Sequence, residues 1–215
     1  MARLPTNSRN DSRPTTVIHG DGFDEKRRNI LAGAARVFDR KGFAAGTTKE
    51  VAAEVGLSQP AIYHYVGSKE DLLSEIAQQV ASDMLTALRI GMSQSSNVRD
   101  QFRSVIREFT AAVLRNQVEF SVFWKELNFF PPNVREKVQR EERQFIKELT
   151  VLVAALQDSG DLPEEPPRAV ITEGILGMIC WTYHWYRPGK SLDPSALAET
   201  FLALIGLSDH SAAFD

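Results

Sequence analysis

Apolar residues in this chain recur with a period near 3.6 along most of its length, and no stretch of comparable length alternates with period two. About nine helices follow from that pattern. The first runs from about Asp24 to Lys41 and carries Ile30, Ala34, Val37 and Phe38 on one side. Acids open it and Arg40 and Lys41 close it, as the helix dipole favours, and Gly42 stops it. Two short helices, about Thr48 to Val55 and Ser58 to Val66, flank the turn Gly56-Leu57-Ser58. Pro60 falls in the first turn of the second, where a missing N–H costs nothing. Ser68 caps a fourth helix reaching about Met92, roughly 37 Å long at 1.5 Å per residue. Residues 98–116 place Val98, Phe102, Val105, Ile106, Phe109 and Val113 on one face, and residues 118–130 are dense in aromatics. Pro131-Pro132 then breaks the chain. Asn133 is placed to cap a long helix bearing Val134, Val138, Phe145, Leu149, Leu152 and Leu156. Beyond a Gly160–Pro167 loop, the helices about 168–186 and 194–207 are apolar on more than one side; in the last, Leu197/Phe201/Leu204 and Ala198/Leu202/Ile205 form adjacent stripes. The expected fold is all-α. Residues 1–23, polar and without periodicity, read as a flexible arm.

Composition adds little except at the two ends of the chain. At 215 residues, 43% hydrophobic and 25% charged, there is apolar material for a sizeable core. One cysteine, Cys180, leaves no internal disulfide or Cys-pair zinc site and reads as a small buried hydrophobe. Neither an apolar leader nor a run of 18 apolar residues occurs, so a cytoplasmic protein with no membrane partner is expected. The net charge of −3 hides an asymmetry. Residues 1–70 hold 11 Lys and Arg against 8 Asp and Glu, whereas 71–215 hold 14 against 20. A mildly basic front on an acidic body suits a nucleic-acid-binding head.

The front end also holds the motif. Helix, short helix, Gly-containing turn, short helix is a helix-turn-helix unit. In it Val51, Ala52, Val55, Leu57, Ile62 and Val66 can pack inward, leaving Gln59, Ala61, Tyr63, His64 and Tyr65 with solvent-facing options. A helix with little core of its own and many donors suits a major groove. Thr47 and Thr48 at one helix start, and Ser68-Lys69 at another, offer hydroxyls, an ammonium and free N–H groups to phosphates. The blocks Phe38…Gly42-Phe43, Thr47-Thr48-Lys49-Glu50-Val51-Ala52, Gly56-Leu57-Ser58, Ile62-Tyr63-His64-Tyr65 and Ser68-Lys69-Glu70-Asp71-Leu72-Leu73 together resemble the TetR family of bacterial regulators. The resemblance covers roughly residues 24–75. It implies a Thr48–Lys49 contact beside the groove, base-edge or methyl contacts from Gln59, Ala61 and His64, and phosphate contacts from Tyr63, Tyr65 and Lys69. The order Tyr63-His64-Tyr65 departs from the family's usual aromatic-then-His, which leaves open which of the three reaches a base. The arm residues Arg3, Arg9 and Arg13 read as solubility charges rather than minor-groove contacts.

The same resemblance implies residues 24–70 as the DNA-binding domain and 71–215 as an effector-binding and dimerisation domain, acting as a ligand-responsive transcriptional regulator. An activator or a corepressed regulator fits the same motif. A helical ligand carrier without DNA binding would need a recognition helix stripped of donors. Phe102, Phe109, Phe120, Phe123, Trp124, Trp181 and Trp185 are numerous enough to line an effector pocket, although an aromatic at helical spacing is more often core. The segment Trp181–Gly189 is similar to one in regulators of lipid, sterol and aromatic-acid breakdown, which suggests a CoA thioester or hydrophobic acid as effector. Gly174 and Gly177 would let a second backbone approach, and Leu197, Phe201 and Leu204 are expected against the partner of a homodimer. Phosphate-loop, nucleophile-elbow and zinc-protease motifs are absent from the sequence, so neither catalysis, a cofactor nor a metal is expected.

Overall fold

The computed structural model describes residues 21–190 and 192–207, and all regular structure among them is helical. The N-terminal head is α1 (Asp21–Lys41), α2 (Thr48–Glu54) and α3 (Gln59–Val66). The body is α4 (Lys69–Ser93), α5 (Val98–Arg115), α6 (Gln117–Lys125), α7 (Pro132–Asp158), α8 (Arg168–Cys180), the single-turn α9 (Thr182–Trp185) and α10 (Pro194–Leu204). A 3-10 turn, Leu127–Phe129, joins α6 to α7. The arginines Arg3, Arg9 and Arg13 lie outside the described residues.

The helix starts are written in side chains. Thr47 and Ser68 each form a reciprocal capping box, with Glu50 and Asp71, satisfying two orphan donors at the heads of α2 and α4. Asp193 accepts from the Ser195 and Ala196 amides at the head of α10. Gly56, at φ +68°, makes the turn that a side chain would strain. Three boundaries differ from the periodicity. Helix α1 begins three residues early, because Phe23 stacks 4.7 Å from Tyr65. Pro131, not Asn133, caps α7, with Pro132 in its first turn. The helix expected over 168–186 breaks at Trp181, where the Thr182 hydroxyl takes the Ile179 carbonyl at 2.6 Å and so competes with the helix ladder.

One apolar core runs from Ile30 in the head to Leu207. Helix α4 lies along α5 and α7, and the approach to α5 is close. A Cβ on Gly91 would sit 2.5 Å from the Val105 backbone. Helix α10 is tied to α5 by the buried Arg103, which donates to the Leu207 carbonyl and to Glu199 at 3.0 Å, while Arg107 reaches the same carboxylate at 2.6 Å. The guanidinium is therefore buried with partners, as a charge there must be. Cys180 is buried as expected, and desolvation pushes its thiol up to about 12. No helix among the described residues is long and apolar enough to cross a membrane.

Candidate functional site

Helices α2 and α3 turn Val51, Ala52, Ile62 and Val66 into the core, and Val55 and Leu57 pack half-buried against it. Gln59, Tyr63 and His64 are left facing out, with Tyr63 51% exposed, while Ala61 and Tyr65 are half-buried. An exposed tyrosine, imidazole and amide on one eight-residue helix form a surface rich in hydrogen-bonding groups, backed by the buried Ile62 and Val66. Thr48 is buried instead of facing a phosphate. Its hydroxyl accepts from the Gln59 amide at 2.9 Å and lies 3.3 Å from the Tyr63 hydroxyl, so it orients both. Thr47 is exposed but engaged with Glu50. Lys49 is exposed, without hydrogen bond or ion pair among the described residues. Lys69 lies over the Phe43 ring, 4.4 Å from its centroid, and donates to the Ala44 carbonyl at 3.3 Å, which fixes its ammonium at the mouth of the α1–α2 loop. Behind this surface Arg40 and Arg36 hold Glu54, each at 2.7 Å, and pull its carboxyl down to about 2, so α1 and α2 are clamped together.

Comparison with known proteins accounts for this arrangement. A family model described as a tetracyclin repressor-like C-terminal domain matches residues 95–207, and the bacterial regulatory proteins, tetR family, model matches residues 30–76. The chain belongs to the TetR family. It is a ligand-responsive DNA-binding transcriptional regulator, in a family of regulators rather than enzymes. Among its relatives, the transcriptional repressor KstR2 of Rhodococcus jostii is 23% identical over 198 residues, covering 89% of this chain and 95% of that protein. The transcriptional activator FasR of Mycolicibacterium smegmatis is 22% identical, over 82% of this chain and 79% of that one. AibR, solved in complex with isovaleryl coenzyme A and operator DNA, shares the fold with a TM-score of 0.73 at 20% identity, covering 86% of this chain and all (100%) of that one.

In this TetR-family chain the body grips the head through α6 and the turn that follows it. Asp39 on α1 accepts from the Ser121 hydroxyl at 2.6 Å and the Lys125 ammonium at 2.7 Å. The buried Glu126 accepts from the Phe43 amide at 3.0 Å, and Phe129 stacks 5.3 Å from the same Phe43 that carries Lys69. Sequence reasoning missed this set except for Phe43. Residues 82 to 86 positions apart leave no local spacing to read.

The expected pocket aromatics do not surround one cavity. Phe102, Phe109 and Phe120 have no exposed surface, so no water-sized space touches them. Phe123 and Trp124 share a cavity of about 260 Å³ with Phe130, Arg135, Val138 and Glu142. The Trp124 indole N–H is shielded from solvent with no acceptor among the described residues. Trp181 and Trp185 stand 55% and 43% exposed, away from both groups' burial. Of the expected dimer residues, Leu197 and Phe201 are buried within the chain itself, on the helix packed against α5. Leu204 is 69% exposed, and Gly174 and Gly177 face open space. An apolar groove of about 370 Å³ joins Gly174, Ile171 and Met178 of α8 to Leu204.

Proposed function

We propose that this chain is a homodimeric repressor, released from its operator in the cytoplasm by a small hydrophobic or acyl-CoA-type effector. The observation that carries the DNA reading is the outward face of α3, where Gln59, Tyr63 and His64 project from a helix anchored by Ile62 and Val66. Donors of this kind on a rigid short helix suit base edges in a major groove. Residues 24–70 are assigned to DNA and 71–215 to effector and dimerisation. Within the first, Gln59, Ala61 and His64 take bases, and Thr47, Lys49, Tyr63, Tyr65 and Lys69 take backbone. Thr48 acts by orienting Gln59 and Tyr63.

The dimer reading rests on α8 and the end of α10. Val170 on α8, Trp181 just past its end and Leu204 on α10 are more than half exposed, an apolar surface that a second copy would cover. The effector class rests on kinship with AibR, solved with isovaleryl coenzyme A, and on the Trp124 cavity, which combines aromatic walls with Arg135. The test is direct. Duplexes enriched by the protein from a random pool are titrated with and without short-chain acyl-CoA thioesters and the corresponding free acids. Weaker DNA binding with one of them is the expected result; tighter binding makes the protein a corepressed regulator.

A further inference from the structure

A second cavity, of about 390 Å³, lies where the head meets the body. Its walls come from α1 (Asp39), α6 (Gln117, Lys125) and the α9 segment (Tyr183, His184, Arg187). That volume falls in the range of small-molecule sites, about 300–1,000 Å³. Among the described residues that line it, two cationic side chains, Lys125 and Arg187, accompany one carboxylate, and Asp39 divides its acceptance between Lys125 and Ser121. Burial raises the Asp39 carboxyl, but the hydrogen bonds from Lys125 and Ser121 and the charges of Lys125 and Arg40 outweigh it and hold the carboxyl below its ordinary value. The α9 wall is held in shape by Gln117, whose amide donates to the Tyr183 and Tyr186 carbonyls at 2.9 and 3.0 Å, and by Arg187, which donates to the His184 and Tyr186 carbonyls.

Electrostatically, such a cleft accepts an anion, and the group an anion would engage first is the Lys125 ammonium. That ammonium is also one tie between body and head, beside the shared core, the Arg27–Glu75 ion pair and the Glu126 contact with the Phe43 amide. The Lys125 and Asp39 side chains are 49% and 31% exposed, and an ion pair so open to water holds only weakly. An incoming carboxylate or phosphate can therefore compete with Asp39 for Lys125. Asp39 would keep the Ser121 hydroxyl alone, and α1 would lose its charged tie to α6.

We propose that the cleft between α1, α6 and α9 binds a small organic anion whose carboxylate or phosphate takes Lys125 from Asp39, loosening the head from the body. This site is separate from the Trp124 cavity, and its consequence for DNA rests on the regulator reading above. Both anion chemistries meet the same donors, and the probes separate them: phenylacetate supplies a carboxylate on an apolar ring, free coenzyme A supplies phosphates, and phenylacetamide is the neutral isostere.

Calorimetry on the full chain is the first arm. At least one of the two anions binds, and phenylacetamide does not. Lys125→Gln and Arg187→Gln each weaken the bound anion about tenfold, the loss of one charge-assisted hydrogen bond. Asp39→Asn, which removes the internal competitor, tightens it, a gain that no misfolded variant would give. Binding of coenzyme A alone identifies a phosphate site and of phenylacetate alone a carboxylate site; either supports the proposal. No binding of either anion, equal binding of acid and amide, or Lys125→Gln and Asp39→Asn affinities equal to that of the unmodified chain overturns it. The second arm titrates a selected duplex. The bound anion weakens DNA binding by the unmodified chain and leaves Asp39→Asn unaffected, since the tie is already gone. An anion bound through Lys125 without effect on DNA overturns the loosening. Failure to bind any duplex in the absence of anion refutes the regulator reading and leaves the calorimetric result standing.

Discussion

Head and body use aromatic residues in opposite ways. On α3, Tyr63 is 51% exposed and His64 stands beside it in solvent, whereas Phe102, Phe109, Phe120 and Phe145 in the body have no exposed surface. The difference follows from what each helix has to bury. Helix α3 is eight residues long and is anchored by Ile62 and Val66, so its remaining side chains are available to a partner. Helix α5 is packed by α4, α7 and α10 and has almost no free face. Polar aromatics on this anchored helix keep their hydrogen-bonding groups in solvent, and the enclosed ones of the body form its core. The outer side of α8 is a third case, with Val170, and Trp181 just past the helix end, uncovered though the helix has few polar positions to present.

The contrast is broken most severely in the core. Phe109→Ala is expected to lower unfolding stability by about 3–5 kcal/mol in denaturant titration, the usual cost of emptying a large aromatic site. Tyr63→Ala, at an exposed position, should shift stability by no more than roughly 0.5 kcal/mol while weakening DNA binding. Equal losses of stability from the two would erase the distinction. Next in size is the charged tie of α10. Arg103→Met removes a buried guanidinium from Glu199 and the Leu207 carbonyl, and destabilisation of about 1–3 kcal/mol is expected, with α10 amides exchanging first. Uniform exchange along the chain would place the lost stability elsewhere.

The proposed dimer surface sharpens the comparison. Leu204→Glu alters a residue that is 69% exposed, so the fold should persist while sedimentation shows monomer; Phe201→Glu, buried at 4%, should unfold the chain instead. A stable Leu204→Glu dimer would move the interface off α10. The smallest effect is acidic. The Glu54 carboxyl, held to about 2 by Arg40 and Arg36, is ionised in the folded head well below its ordinary 4.5. A depressed folded pKa contributes stability that is complete above pH 4.5 and lost as pH falls toward 2. Glu54→Gln should flatten that part of the acid-unfolding curve, and an unchanged curve would deny the pair a role.

What was legible in the sequence was local. The Ser68 cap, the Gly56 turn and the inward Val51, Ala52, Ile62 and Val66 all follow from spacings of a few residues, whereas Thr48, expected at a phosphate, is buried under Gln59 and Tyr63. The stripes of α5 and α7 were equally plain, but a stripe says that a side is covered and not by what. Density is the one signal the seven pocket aromatics carry in the sequence, and neighbours from distant helices seal three of them and leave two in solvent. On α10 the two adjacent stripes looked alike. Docking on α5 through Arg103 turned Leu197 and Phe201 inward and left Leu204 out. The Asp39–Lys125 and Glu126–Phe43 ties join residues more than eighty positions apart, and nothing in either neighbourhood announces the other.

That the outward face of α3 reads DNA sequence is tested most directly by selection from a random duplex pool, run in parallel on the unmodified chain and on Gln59→Ala and His64→Ala. Enrichment of a two-fold symmetric site by the unmodified chain is expected, with each variant losing preference at one or two positions in each half, at about 1–3 kcal/mol per good base contact. Identical enriched sites from all three proteins, or no enrichment by the unmodified chain, would contradict it.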